Sequence, residues 1–333
     1  MMIDHGGALD RAMQTYGGRA DDWLDLSTGI NPVAYKMPPL PPSLWARLPN
    51  QKLTDETLSA ARLYYGVPEA AGGVIAPGSQ ALIQLYPSLV PAGFAEVLTP
   101  TYEEHAANLA RLGWQVEAVQ DFSDLDERTS VTVAVNPNNP DGRRIAHSEI
   151  ERVAKLLAGR GGFLVVDEAF SDTEEGVSCA HLAGMDGLII LKSFGKFFGL
   201  AGIRLGFAFG SKRLTDKLAA MLGPWAVAGT ALEIARKAYG DAEGIAELKL
   251  RIAESRRTLS DTLAECGLKE AGGTALFALV EHAEADRIYE GLAAQHILTR
   301  KFAHSPHWIR IGLAAHEVEY WRLGKALTAI LRN

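Results

Sequence analysis

Cysteine is nearly absent: Cys179 and Cys266 are the only two in 333 residues. So few, so far apart, exclude a disulfide framework and a cysteine metal cluster; no metal site is expected, and a reducing cytoplasm suits the chain. A basic run is also missing. The 33 Lys and Arg against 40 Asp and Glu give a formal charge of -7, which argues against nucleic acid or an anionic membrane as the main partner. No apolar stretch approaches membrane-spanning length, and the opening residues, MMIDHGGALDRAM, carry Asp4 and no apolar core, so they do not read as a signal peptide. What is present is a chain 47% hydrophobic with mean hydropathy +0.01, long enough for two domains around a sizeable core.

Residues 1–42 read as a polar, turn-rich arm that packs with the small domain. It holds His5, Gly6 and Gly7, then DLSTGINP (Asp25–Pro32), then prolines at 38, 39, 41 and 42 that forbid regular structure. Asp25–Pro32 is either a loop offering hydrogen-bonding groups at Ser27, Thr28 and Asn31 or an ordinary surface turn. Residues 43–240 alternate helical patterns, such as Glu103–Leu112 and Ser148–Leu157, with short apolar runs beginning near 74, 96, 131, 163, 188 and 206. That alternation predicts an α/β domain, a mostly parallel sheet covered by helices on both faces. Residues 241–333 predict a smaller α+β domain: a helix over Glu243–Cys266, a strand at TALFALV, a helix at Ala285–Gln295, strands at ILTR and WIRIGL, and a last helix from His316.

Ligands of such sheets sit beyond the carboxyl ends of the strands. Gly78 and Ser79, Tyr102, Asn139, Asp167 and Lys196 all stand at or just past the end of an apolar run. Lys196 lies among Phe194, Phe197 and Phe198, surroundings that disfavour an ammonium and free the amine as a nucleophile; a snorkelling lysine is the bland alternative.

The ordered set PGSQAL, PTYEEH, NPNNPDG, DEAF, SFGKFFGLAGIRLG and WIRIG resembles the fold-type I pyridoxal-phosphate enzymes, class I and II aminotransferase branch. The resemblance implies that Lys196 carries pyridoxal 5'-phosphate covalently and that Asp167 pairs with its ring nitrogen. Opposite charges about 4 Å apart at an effective dielectric near 20 attract by roughly 4 kcal/mol, enough to keep that nitrogen protonated. It implies further that Tyr102 stacks on the ring and Asn139 donates to its phenolic oxygen. Gly78, Ser79, Gln80, Ser193 and Arg204 would hold the phosphate, and Arg310 would grip a substrate carboxylate. His105 resembles a histidine that bonds the aspartate in some relatives, or is a plain helix-surface residue. Arg310 equally fits an exposed strand face by its alternation with Ile309 and Ile311.

Two departures stand out. Phe170 occupies a position where many relatives have a tyrosine that bonds the phenolic oxygen, and Leu48, Pro49 and Asn50 stand where relatives often have Tyr-Pro-Asp reaching a neighbouring subunit. The arm, Phe170 and GPWAVAG around Trp225 together resemble a decarboxylating branch of that family, and the resemblance implies a phosphorylated amino-acid substrate that loses carbon dioxide, with transamination as the alternative. A second anion site is then required, and Arg300, His5 and Asn31 are its candidates. A homodimer is expected, since family members assemble across the cofactor cleft. A non-catalytic scaffold or regulator is disfavoured by the retention of Lys196, Asp167, Asn139 and Arg204 together.

Overall fold

A seven-stranded sheet forms the centre of the larger unit, Tyr35–Asn139 with Arg143–Ala246. The structure is a computed structural model, and it describes residues 6–332. The strands lie in the order Gly72–Ala76, Gly206–Gly210, Leu188–Ser193, Phe163–Asp167, Thr129–Val135, Phe94–Leu98, Gln115–Val119. Neighbours run parallel except around Gly206–Gly210, which pairs antiparallel with both of its partners.

Six of the seven strands are the six apolar runs of the sequence. Phe94–Leu98, Phe163–Asp167 and Leu188–Ser193 are buried at every position, as strands covered on both faces must be. The seventh, Gln115–Val119, is an edge strand with three exposed residues of five and no apolar run; hydrophobicity therefore does not mark it. Leu82 and Ile83 of the helix Ser79–Leu85 and Leu109 of the helix Glu104–Arg111 pack into the core against Val97, Val131, Val165 and Leu191. This packing fixes which residues of those helices turn inward. Register aligns Val135, Asp167 and Leu191 across three adjacent strands, so the residues that close those strands emerge at one edge.

The smaller unit takes the chain before Tyr35, Pro140–Gly142 and the chain after Ala246. Its four-stranded antiparallel sheet has the order Arg300–Phe302, Ser305–Gly312, Phe277–Glu281, Glu270–Thr274. The TALFALV run is thus not one strand: Thr274 ends one and Phe277 begins the next, with the Thr274 hydroxyl accepting the Leu276 N–H at 3.1 Å inside the turn. The arm is tied in by a two-residue parallel pairing of Leu24–Asp25 with Ile297–Leu298. Ala285–Ala293 and Glu317–Arg332 are helices close to where the pattern predicts them, and the long helix runs Ala242–Glu265.

Candidate active site

Asp167 closes its strand with a carboxylate that is 4% exposed. Its Oδ1 accepts the Ala169 N–H at 3.0 Å, and its Oδ2 lies 3.1 Å from His105 Nε2. His105 is fully buried, and its Nδ1 is 3.2 Å from the Tyr86 hydroxyl. Burial first, and then the charge of Asp167, push Tyr86 well above its ordinary value, so this phenol keeps its proton. His105 thus bridges the Tyr86 hydroxyl and the Asp167 carboxylate through its two ring nitrogens. The reading of His105 as a surface residue is excluded: it is the middle of a buried relay.

Lys196 sits in the short helix Phe194–Phe197 that follows the strand Leu188–Ser193, half-buried, with Nζ 5.7 Å from the centre of the Phe170 ring. Phe194, Phe197 and Phe198 are all but fully buried, Phe194 and Phe198 stacked at 4.3 Å. They are packed among themselves and against Tyr239, and so fix the helix that carries the lysine. Ser193, 8% exposed, precedes that helix.

Arg204 and Gly78 meet at the opening of the helix Ser79–Leu85. Gly78 has φ 82°, and a Cβ there would lie 2.6 Å from Arg204 Nη2; one on Gly206 would lie 2.4 Å from the Ser79 nitrogen. Glycine is therefore required at both places for the guanidinium and the helix opening to approach. Arg204 itself is left-handed at φ 53°, a conformation that costs a non-glycine residue about 1 kcal/mol or more and that clusters at functional sites. Gln80 links the groups beyond: Oε1 accepts the Tyr102 hydroxyl at 3.2 Å and Nε2 donates to Glu104 at 2.9 Å. Asn139 is half-buried at the end of NPNNP. Asn136 and Asn138 hold that loop through bonds to Val177, Ile145, Pro100 and Thr101.

In the smaller unit, Arg310 and Arg300 stand directly opposite each other on antiparallel strands. Arg310 is 6% exposed, with its Nη2 donating to the Ser27 carbonyl at 2.6 Å and its guanidinium 4.9 Å from the Phe277 ring. It is thus not on an exposed strand face. Burial first, then the neighbouring Arg300, depress it below the ordinary arginine range, opposed by Asp25. Paired guanidiniums in such a setting favour an anion with two negative groups. Gly6 explains part of the His-Gly-Gly arm: a Cβ there would lie 2.3 Å from the Ser27 oxygen and 3.5 Å from Arg310 Nη2. Asn31 is buried, with Oδ1 accepting the Val33 N–H at 3.0 Å. His5 lies outside the described residues. Beside Arg300 is a cavity of about 200 Å³, lined among others by Arg11, Ser27, Thr299 and Lys301.

The larger unit's set fits a phosphorylated, ring-nitrogen cofactor. It has a buried acceptor in Asp167, an amine in Lys196, an aromatic face in Tyr102, and an arginine against a glycine cradle that a Cβ would fill. Sequence reasoning missed Tyr86, and also Lys192 and Glu168, whose buried ion pair lies beneath this site. Glu168 and Lys192 stand at the ends of their strands, but nothing in the sequence shows that they meet, and Tyr86 lies away from any strand end.

Residues 42–325 match the family described as aminotransferase class I and II. A protein of Sinorhizobium sp named threonine-phosphate decarboxylase is 44% identical over 98% of this chain and 97% of its own. The solved L-threonine-O-3-phosphate decarboxylase of Porphyromonas gingivalis superposes with TM-score 0.74 at 20% identity, over 87% of this chain and 92% of its own. Histidinol-phosphate aminotransferase of Sinorhizobium meliloti, solved with pyridoxal-5'-phosphate, gives TM-score 0.77 at 22% identity, over 100% and 95%. The fold is that of the fold-type I pyridoxal-phosphate transferases.

Proposed function

Because the chain belongs to the aminotransferase class I and II family, we propose that it is a pyridoxal-phosphate-dependent threonine-phosphate decarboxylase. It converts L-threonine O-3-phosphate to (R)-1-amino-2-propanol O-2-phosphate and carbon dioxide, a step of cobalamin biosynthesis. The finding that carries the choice of substrate is the 44% identity, over 98% of this chain, to a threonine-phosphate decarboxylase. The in-register pair Arg300 and Arg310 suits a substrate with both a carboxylate and a phosphate.

Lys196 would hold the cofactor covalently, and Asp167, held by His105 and Tyr86, would pair with its ring nitrogen. Tyr102 and Asn139 would hold the ring, and Gly78, Ser79, Gln80, Ser193 and Arg204 its phosphate. Bound pyridoxal phosphate supplies an electron sink for the pair left at Cα when the carboxylate departs. Arg310 binds and orients the substrate carboxylate and Arg300 its phosphate, with Asn31 and His5 of the arm as further candidates for the phosphate. The Lys196 side chain, as its ammonium, would deliver the proton to Cα. In this division of labour residues 1–42 are the arm, 43–240 the cofactor domain and 241–333 the substrate domain.

The enzyme works in the cytoplasm as a homodimer. No described helix is long and apolar enough to cross a membrane, and Trp45, Leu48 and Trp225 are large apolar side chains left exposed, the kind of surface that a second copy covers. Sedimentation of a cofactor-binding monomer would overturn the dimer.

The activity is tested by incubating cofactor-loaded protein with L-threonine O-3-phosphate and following carbon dioxide, with histidinol phosphate plus 2-oxoglutarate in parallel. Carbon dioxide from the first is expected. Glutamate from the second without carbon dioxide from the first would make the chain a transaminase.

A further inference from the structure

A lysine is fully buried one residue before Ser193, and nothing in the proposed reaction uses it. Lys192 is 0% exposed. Its Nζ donates to Glu168 Oε2, to Ser171 Oγ at 2.8 Å and to Ser178 Oγ at 2.8 Å, and it lies 4.5 Å from the centre of the Tyr65 ring. Glu168, also 0% exposed, is saturated from the other side: its Oε1 accepts the Cys179 N–H at 2.6 Å and its Oε2 accepts the Ser178 hydroxyl at 2.7 Å.

The arrangement matters because of which residues it brackets. Glu168 directly follows Asp167, and Ser171 directly follows Phe170, the residue whose ring faces Lys196. The backbone between them is closed by Ser171 N–H to Glu168 O at 3.2 Å and by Glu168 N–H to Leu191 O at 2.9 Å. Lys192 and Lys196 are themselves joined through Ser193 and the first turn of the short helix. One ammonium therefore ties the loop that carries Asp167 and Phe170 to the strand end that carries Lys196. A buried ion pair adds little net stability over apolar residues of the same shape, and its best-attested use is to fix one arrangement among several. Three hydrogen bonds converging on one buried ammonium are direction-dependent in a way that an apolar plug is not.

We propose that Lys192 is a positioning residue of the cofactor site. Through Glu168, Ser171 and Ser178 it fixes the separation of Asp167, Phe170 and Lys196, and so sets cofactor affinity and the protonation behaviour of the bound cofactor. The inference rests on the reading that Asp167 and Lys196 hold pyridoxal phosphate.

The test compares wild type with the double variant Lys192→Met/Glu168→Gln, which removes both charges together and keeps a side-chain oxygen for the Cys179 N–H, and with Ser178→Ala, which removes one hydroxyl shared by both. The readouts are cofactor Kd, the pH midpoint of the bound cofactor's absorbance change, thermal unfolding, and the separate kcat and KM for threonine phosphate. The double variant is expected to unfold within a few degrees of wild type, to bind cofactor about tenfold more weakly, and to show a shifted pH midpoint. Its kcat falls by about 10²-fold, the cost of an ångström of misplacement, while KM changes little. A folded double variant with wild-type Kd and midpoint overturns the proposal. If the double variant does not fold, Ser178→Ala decides: weaker cofactor binding with a shifted midpoint supports the proposal, and wild-type values overturn it. A wild-type protein that takes up no cofactor overturns the underlying reading instead, a result distinguishable from either.

Discussion

Replacing Asp172 by asparagine should stabilise the protein, and only above mildly acid pH. Asp172 lies two residues past Phe170 with both carboxylate oxygens buried and without a hydrogen bond of good geometry among the described residues. Burial raises its carboxyl from 3.8 to about 6, against the opposing attraction of Lys192 and the nearby hydroxyls of Tyr64 and Tyr65. A carboxyl whose folded value exceeds its unfolded one favours the fold while protonated. That advantage is complete below about pH 4, is lost as pH rises through about 6, and leaves a constant penalty above. A shift of two units corresponds to about 3 kcal/mol. With an unfolding entropy near 2 cal/mol/K per residue, this is about 4 °C in Tm for a chain of this length unfolding as one unit. Asparagine keeps the shape and cannot ionise. Thermal unfolding of wild type and Asp172→Asn, followed by circular dichroism from pH 4 to pH 8, should give curves that converge at pH 4 and separate to about 4 °C at pH 8. A variant that is less stable at pH 8, or displaced equally at all pH values, would show that Lys192 holds Asp172 ionised at no cost and that the reasoning is wrong.

Three further outcomes follow from the site. Phe170→Tyr places a hydroxyl where many relatives have one, so the pH midpoint of the bound cofactor's absorbance change should fall; an unchanged spectroscopic titration would show that the new hydroxyl donates nothing. His105→Phe removes the buried partner of Asp167 Oδ2 and of the Tyr86 hydroxyl while Asp167 Oδ1 keeps the Ala169 N–H, and cofactor Kd by fluorescence titration should rise about tenfold, the effect of one lost buried bond near 1.4 kcal/mol. Arg300→Gln removes one of two facing guanidiniums: KM for threonine phosphate should rise by about 10- to 100-fold, since a charge-assisted pair contributes roughly 1.5–3 kcal/mol, with kcat changing far less. Equal loss in kcat would move Arg300 from binding to chemistry.

The sequence by itself determined the sheet and the residues at its rim. Strands covered on both faces must be apolar throughout, so VTVAV, FLVVD and LIIL are visible as runs, and the polar residues that end them, Asp167 and Ser193 among them, are visible as the breaks. Gly78 is legible for a local reason, since its left-handed backbone at the helix opening favours glycine, whereas Gly206 is required by the approach of Ser79 from a remote segment. What depends on partners distant in the chain was not legible. Whether His105 faces solvent or Asp167 is decided by which side of its helix Leu109 anchors to the sheet, 62 residues from the aspartate it meets. Tyr86 joins that relay only through the same packing. TALFALV shows no break in hydrophobicity at the turn that divides it, and the exposed edge strand Gln115–Val119 has no apolar signature at all. Arg310 and Arg300 became a pair through antiparallel register, and the alternation that led Arg310 to be read equally as exposed says nothing of the arm whose Ser27 carbonyl covers it. Lys192 reads as the polar end of a strand; it is a buried ammonium because Glu168, Ser171 and Ser178, 24, 21 and 14 residues away, close on it only when the strands are laid side by side. Local chemistry marks which residues can do the work, and burial and pairing, which are properties of contacts between remote segments, assign it.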